Sequence, residues 1–238
     1  MRKICAVTVV LCLFVAATVF SYDVVDVKNG GSIKGKIKAS AKIESPMLTI
    51  DKDTEFCGKS QNSMMYILSP NLEVKNVLVI VEDVQKGKAA PKTDAVIDNK
   101  QCRFEPMVTI AYKGANFTIK NSDKILHNTN LGLQLTDKRR TVYNLALPRE
   151  NQVISKPVRV MGLIAVKCDA HSWMRSYVYG SDNPYVAVTD AGGNFEIKDL
   201  LPGKYKVRVW HEGLGEVTKD VSVSAGKASE LDVTLSRK

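Results

Sequence analysis

Residues 184–210 read PYVAVTDAGGNFEIKDLLPGKYKVRVW. Three short runs alternate between apolar and polar side chains, and the gaps between them carry turn residues, Asp-Ala-Gly-Gly-Asn first and Pro-Gly second. Alternation is the period of a β-strand with one buried face, and Gly192 and Gly193 tolerate the positive φ of a tight turn. The Pro202-Gly203 pair predicts a type II reversal. The stretch therefore predicts three β-strands joined by two tight turns.

The same alternation recurs along the chain. Runs such as SIKGKIKA, VKNVLVIVEDV, MVTIAY, LIAVKC and KDVSVS are rich in β-branched residues and are separated by Gly, Asn, Asp and Pro. Long amphipathic helical patterns are nearly absent, and only residues 135–150 have any helical character. We therefore predict an all-β protein, a sandwich or barrel in each domain. The 238 residues suffice for one large or two small domains.

The first 21 residues have the pattern of a secretory signal peptide. Arg2 and Lys3 precede an apolar run from Ile4 to Phe20, and Ser21 is a small residue before a cleavage point. We expect the protein to be periplasmic or secreted. The apolar run is slightly long, so an uncleaved membrane anchor is the alternative, and only in that case do we expect contact with a membrane.

The charge balance is basic. The formal net charge is +9, and removal of Arg2 and Lys3 leaves 32 basic against 25 acidic residues, or +7. The lysines are spread between strand residues, as on a solvated surface. Clusters of Arg with aromatic residues are absent from the sequence, so we do not expect nucleic acid as a partner. A basic surface favours acidic partners.

Three cysteines follow the signal segment: Cys57, Cys102 and Cys168. An exported protein permits disulfides, and an odd number leaves one thiol over. Three pairings are open. We favour Cys57–Cys102 because it leaves Cys168 free beside His171 and Met174. The alternative for a leftover cysteine is a buried, inert thiol.

Residues 166–174, VKCDAHSWM, place three metal-ligand side chains within seven residues. Cys168 ends the inward-facing row of a strand, His171 lies in the loop that follows, and Met174 begins the next strand. All three can therefore turn toward one point. The remaining ligand is best supplied by His127, which follows the strand Phe117–Ile119 in IKNSDKILHNTN.

A thiolate, two imidazoles and a distant thioether suit copper, which cycles between Cu(I) and Cu(II). A structural zinc site prefers four strong ligands, and methionine is a poor fourth. A Cys–His hydrolase needs an orienting Asn or Asp and an oxyanion hole, and offers Met174 no role. The alternative is that Cys168, His171 and Met174 are unrelated. We predict one copper ion per chain.

Two segments resemble the cupredoxins, or blue copper proteins. Residues 162–174, GLIAVKCDAHSWM, resemble their copper loop, with the short C-x₂-H-x₂-M spacing of amicyanin, and residues 114–128, GANFTIKNSDKILHN, resemble the strand that delivers the first histidine. The resemblance implies an amicyanin/plastocyanin-like Greek-key sandwich with a type 1 copper site. The ligands that it implies are the nitrogens of His127 and His171, the thiolate of Cys168 and the axial thioether of Met174.

The resemblance also implies roles for neighbouring residues. Asn128 would hold the Cys168 sulfur or tie the two ligand loops together. For Trp173 two interpretations stay open: it shields copper or forms an apolar docking patch beside an exposed histidine, or it is ordinary core. Amicyanin-like loops carry prolines where this chain has Ala170 and Ser172. This departure puts the redox potential in doubt.

A second resemblance covers about residues 184–236. The pattern T-D-x-x-G-x-F-x-I-x-x-L-x-P-G-x-Y resembles carboxypeptidase regulatory-like modules, which form transthyretin-like β-sandwiches. Their usual first strand, G-x-I-x-G-x-I, occurs far upstream at Gly31–Ile37. We therefore predict a nested layout: residues 22–97 supply the first strands of this sandwich, residues 98–183 form the copper domain, and residues 184–238 complete the sandwich.

Together these observations predict an exported type 1 copper protein that carries one electron and is not an enzyme. Expected partners are redox proteins such as c-type cytochromes or a dehydrogenase. The alternatives are non-catalytic copper binding or storage, a structural binding module of the envelope, and a cupredoxin fold that no longer binds metal. His211 is either an interface group near the copper domain or a turn residue bonded near Glu212.

Overall fold

The computed structural model describes residues 22–237, so the predicted signal segment lies outside the described residues. Over this range the protein is all-β, as predicted, with 21 strands and one single-turn helix, α1 (Thr54–Cys57). Within the described range, no helix is long and apolar enough to cross a membrane. The strands are β1 (Asp23–Val24), β2 (Gly31–Ala39), β3 (Met47–Thr49), β4 (Ser60–Asn62), β5 (Leu78–Val81), β6 (Lys86–Gly87), β7 (Ala95–Lys100), β8 (Arg103–Glu105), β9 (Val108–Tyr112), β10 (Asn116–Asn121), β11 (His127–Gln134), β12 (Arg139–Leu147), β13 (Gln152–Pro157), β14 (Gly162–Lys167), β15 (Arg175–Ser181), β16 (Val186–Val188), β17 (Asn194–Leu200), β18 (Gly203–His211), β19 (Gly215–Val223), β20 (Ala228–Glu230) and β21 (Val233–Leu235).

One sandwich is built from consecutive strands β7 to β15. Its two sheets have the orders β13-β10-β7-β8 and β12-β11-β14-β15-β9. The inward rows of alternating residues, such as Phe117 and Ile119 on β10 and Ile164 and Val166 on β14, meet in one apolar core. The inward-facing apolar residues of each strand thus form a water-free layer between the two sheets. We call this sandwich the inner domain.

The second sandwich is assembled from both ends of the chain. Its sheets have the orders β16-β5-β18-β19 and β17-β2-β20, with β21 also paired to β2. Strand β2 therefore pairs with β17, and β5 pairs with both β16 and β18. Its core joins Ile33 and Val79 from the first part to Ile197 and Val207 from the last part. We call it the outer domain.

The two sandwiches pack against each other through a third apolar cluster. Leu78 and Ile80 of β5 lie in this cluster together with Val108 of β9, whereas Val79 and Val81 point into the outer core. Strand β5 is thus buried on both faces, which explains its uninterrupted apolar sequence, LVIV. The aromatic rings of Tyr177 and Trp210 meet edge-to-face across the boundary, with centroids 4.9 Å apart.

The segment 46–62 differs from the predicted division. The sequence pattern predicts that all of residues 22–97 belong to the outer domain, but Ile50 and Cys57 pack in the inner core, and β7 of the inner domain already begins at Ala95. The predicted disulfide is confirmed: Cys57 is bonded to Cys102, with Cα atoms 5.6 Å apart. The cross-link and the apolar side chains hold this early segment on the inner domain.

Two local features differ from what the sequence pattern allows or predicts. Residues 135–150 contain strand β12 instead of a helix, because Tyr143, Leu145 and Leu147 alternate toward the inner core. The Pro202-Gly203 turn is not type II, since Gly203 already belongs to β18 and does not have a positive φ; Asp199 adopts a φ of 60° instead. By contrast, Gly193 has the positive φ expected of the preceding turn, at 70°.

Candidate metal centre

The strand pairing brings the two predicted ligand segments together. His127 is the first residue of β11, and Cys168 directly follows β14. These strands are antiparallel neighbours, with Asn130 opposite Lys167, so the start of one lies beside the end of the other. His171 lies in the loop from β14 to β15. Its carbonyl accepts a hydrogen bond of 3.0 Å from the Met174 N–H, which closes the loop.

Three of the four predicted ligands have their donor atoms in one cluster. The Nδ1 atoms of His127 and His171 are 3.0 Å apart, and the Cys168 sulfur is 3.6 Å from His171 Nδ1. The donor atoms of all three residues lie within 4.8 Å of one another. Both rings are fully buried, and Cys168 is 4% exposed. The cluster is therefore shielded from water.

A carboxylate lies at the outer nitrogen of each imidazole. His127 Nε2 is 2.8 Å from Asp123 Oδ2, and His171 Nε2 is 2.8 Å from Asp53 Oδ2. A carboxylate accepts hydrogen bonds, so each Nε2 carries a proton and each Nδ1 is turned toward the other ring. At 3.0 Å the two Nδ1 atoms need either a proton or a metal ion between them.

Asp123 is fixed by the backbone around the disulfide. Its two oxygens accept hydrogen bonds from the N–H groups of Gln101 (2.7 Å) and Cys102 (2.9 Å). Burial acts to raise the pKa of Asp123, but the bonds from His127 and from these two N–H groups outweigh burial and lower the pKa below its usual value. The carboxylate is therefore ionised and oriented toward His127.

Asn128 joins the two ligand loops. Its N–H donates to the Cys168 sulfur at 3.3 Å, and its side-chain oxygen accepts from the Asp169 N–H at 3.2 Å. Burial acts to raise the pKa of the Cys168 thiol, but hydrogen bonds from the His171 ring and from backbone N–H groups outweigh it and lower the pKa. The site thus favours the thiolate, which is the metal-binding form of cysteine.

Met174 and Trp173 complete the loop. Met174 is 2% exposed at the entrance to β15 and packs in the inner core. Trp173 is also buried; its ring centroid lies 5.0 Å from that of His171, and its Nε1 donates to the Cys102 carbonyl. Trp173 therefore does not form an exposed docking patch. The expected exposed histidine is not exposed either, because Asp53 covers the outer edge of His171.

The donor set fits copper. Metal bonds to imidazole and thiolate are about 2.0–2.3 Å long, so an ion can lie between donors that are 3.0–3.6 Å apart. A thiolate is a soft ligand and imidazole is a borderline one, and copper prefers this combination of ligands. His127, His171 and Cys168 would hold the ion, and Met174 stays the predicted axial ligand.

His211 belongs to the outer domain and has no part in this cluster. Its Nδ1 accepts hydrogen bonds from the N–H groups of Gly213 and Leu214, both at 3.2 Å, and its ring stacks on Tyr66. Burial lowers the pKa of His211 to about 4. It is a structural turn residue, the second of the two predicted roles.

Neither carboxylate was predicted from the sequence. Asp123 is four residues before His127 in the same loop, and this spacing could have suggested the pair. Asp53 is 118 residues from His171 and lies in a segment without a recognisable pattern. The only local signal for Asp53 is that Cys57, four residues later, anchors its segment to the inner domain.

A family model matches one of the two resemblances. Residues 178–236 match the carboxypeptidase regulatory-like domain, so this part of the prediction is confirmed. None of the curated proteins matches the sequence. Solved structures that are similar to part of the chain include copper proteins. With the purple cupredoxin from Nitrosopumilus maritimus it shares 21% identity at a TM-score of 0.32, over 37% of this chain and 100% of that one.

Two further structures are similar to a comparable extent. A reduced Cu(I) form of an amicyanin mutant has 17% identity and a TM-score of 0.32, over 43% of this chain and 98% of that one. The copper-containing nitrite reductase from Thermus scotoductus has 13% identity and a TM-score of 0.32; 40% of this chain covers only 24% of the reductase. TM-scores this low do not support an assignment of function, which must therefore be argued from the geometry of the side chains.

Proposed function

We propose that the protein is an exported type 1 copper protein that carries one electron. The observation that supports this most directly is the geometry of the three donor atoms: the two Nδ1 atoms are 3.0 Å apart, and the buried Cys168 sulfur is 3.6 Å from that of His171. The outer nitrogens of both rings are already bonded to carboxylates. The three donors can be satisfied together by one soft cation.

The protein would hold the site rigid while the ion changes oxidation state. Copper, when bound, supplies one-electron exchange between Cu(I) and Cu(II). His127 is fixed by Asp123, Cys168 by the Asn128 N–H, and His171 by Asp53. Ligands that are locked by neighbouring hydrogen bonds keep their positions, and complete burial of the histidines excludes water.

The proposed partners are c-type cytochromes or a dehydrogenase in the same exported compartment. The mature net charge of +7 would steer partners with acidic docking faces toward the protein. The rate of electron transfer should then fall as the salt concentration rises, because exposed charges are screened.

A visible spectrum tests the proposal. Cu(II) is added to the metal-free protein, and an intense thiolate-to-copper absorption is expected, together with reversible reduction by one electron. In Cys168→Ser this absorption should be lost completely, because a hydroxyl cannot replace the thiolate. The matched control is His211→Asn, which removes the histidine that lies outside the cluster and should keep the absorption.

The remaining outcomes separate the alternatives. Tight copper binding without the intense absorption would favour storage. Absence of binding would contradict both copper roles. An absorption that persists in Cys168→Ser would show that the cluster described above is not the copper site.

A further inference from the structure

The segment that covers His171 comes from outside the inner domain's own sheets. We call residues 50–57 the strap. Ile50 and Cys57, at its two ends, are buried in the inner core, whereas residues 51–56 are exposed. The Ile50 N–H donates to the Lys59 carbonyl at 3.0 Å, which closes the base of the loop. Between these anchors, only Asp53 of the strap reaches a predicted ligand among the described hydrogen bonds.

The backbone conformation of Asp53 supports this contact. Its φ of 50° and ψ of 36° are left-handed, a conformation that few residues other than Gly, Asn and Asp adopt. Its carbonyl accepts hydrogen bonds from the N–H groups of Phe56 (3.0 Å) and Cys57 (2.9 Å). The side chain is 38% exposed, so one face of the carboxylate meets solvent while Oδ2 lies on the buried ring.

One disulfide links the supports of both imidazoles. Cys57 ends the strap that carries Asp53, and its partner Cys102 donates its N–H to Asp123, which holds His127. The covalent bond therefore ties together the two carboxylates that orient the two rings.

On the basis of the proposed copper function, we propose that Asp53 is a positioning residue for the metal centre. It fixes His171 with the proton on Nε2, leaves Nδ1 for the ion, and seals the edge of the ring that would otherwise reach solvent. A partner would then approach the centre over the strap and not at the histidine itself.

The expected effect has a definite sign. A hydrogen-bonded carboxylate increases the basicity of the imidazole and adds negative charge near the ion, and both effects favour Cu(II) over Cu(I). Loss of such a group lowers metal affinity by about 10–100-fold. If Cu(II) affinity falls and Cu(I) affinity does not, each tenfold change raises the reduction potential by about 59 mV.

Two substitutions separate charge from contact. Asp53→Asn keeps the shape and the left-handed preference but removes the negative charge. Asp53→Gly removes the whole side chain at a backbone conformation that glycine tolerates. The matched control is Asp51→Asn, which removes an exposed carboxylate from the same strap. Copper affinity, visible spectrum and potential are measured on the full chain, and thermal unfolding of the metal-free forms reports folding.

We expect Asp53→Asn and Asp53→Gly to raise the potential relative to both wild type and Asp51→Asn. A lower thermal stability with an unchanged potential would show that Asp53 is merely structural and would overturn the inference. An equal rise in Asp51→Asn would overturn it too, because the effect would then be one of general charge.

A readout without copper keeps the two proposals apart. In the metal-free wild type, the His171 Nε2 proton should exchange slowly enough to give an NMR signal, and Asp53→Gly should lose that signal while His127 keeps its own. A failure to bind copper in the wild type would refute the proposed function only. A His171 signal that is unaffected by Asp53→Gly would refute the positioning role.

Discussion

Removal of the Cys57–Cys102 disulfide should destabilise the inner domain by about 4 kcal/mol. The two cysteines are 45 residues apart in the sequence. A cross-link that closes a loop of this length removes about 13 cal/mol/K of chain entropy from the unfolded state, which is about 4 kcal/mol at 25 °C. Cys57→Ala/Cys102→Ala is the variant to use, because a single substitution would leave a thiol able to pair with Cys168.

Urea unfolding of the metal-free protein measures the effect. Trp173 is a local reporter, since its Nε1 donates to the Cys102 carbonyl and its ring lies against His171. With a denaturant slope of about 2 kcal/mol/M, a loss of 4 kcal/mol moves the midpoint down by about 2 M. The matched control, Cys168→Ser, keeps the cross-link and should unfold with a midpoint close to that of the wild type.

An unchanged midpoint in the double variant would refute this reasoning. It would mean that the buried side chains Ile50 and Cys57 hold the strap without a covalent bond, or that the unfolded chain is already compact around residues 57–102. A shift in midpoint together with a smaller slope would instead indicate that the double variant unfolds from a partly open native state.

Two further outcomes are expected from single residues. Because burial lowers the pKa of His211 to about 4, only the unfolded chain binds a proton between about pH 6.5 and 4; the free energy of unfolding should fall by up to about 3 kcal/mol as the pH drops through this range. Burial raises the pKa of the neighbouring Glu212, and this makes the protein more stable at low pH, opposite to the effect of His211. Urea unfolding of His211→Asn at pH 7 and 4.5 should therefore show a pH dependence that lacks the His211 contribution. A pH dependence equal to that of the wild type would contradict this prediction. Gly193→Ala should destabilise the protein more than Gly226→Ala. Both glycines have positive φ, but only at Gly193 would the new Cβ lie 2.5 Å from a backbone oxygen, that of Ile37. Equal shifts in the thermal unfolding temperature would count against the steric argument.

The sequence predicted the strands well because alternation is local. It could not predict which faces would be covered. Leu163 and Ala165 lie on the face of β14 that the pattern places outside, yet Leu163 packs against the outer domain. Strand β5 has no alternation at all, because sheets cover both of its faces. Such contacts depend on the partner surface and leave no period in the strand itself.

The residues of the candidate site also differ in how far the sequence could predict them. Cys168, His171 and Met174 are near in sequence, so their spacing was informative, and His127 was found through a second local motif. Asp53 is joined to His171 only by the folded structure, and its one local signal, the nearby Cys57, indicates an anchored segment but no contact with a ligand. Trp173 was open between core and docking surface because an aromatic residue beside a ligand suits both; its burial decides for the core.

The division of the outer sandwich between two distant parts of the chain has a consequence for how the molecule folds. Val77 donates its N–H to the Thr189 hydroxyl across 112 residues of sequence. Strands β2 and β5 must therefore wait, with unpaired edges, until the last quarter of the chain is available. The inner strands are consecutive, so they can associate first and bring the two waiting ends close together, which reduces the entropy lost on closing that loop. A change that slows folding of the inner domain should thus also delay the outer one and prolong the time in which its open edges can pair with other chains.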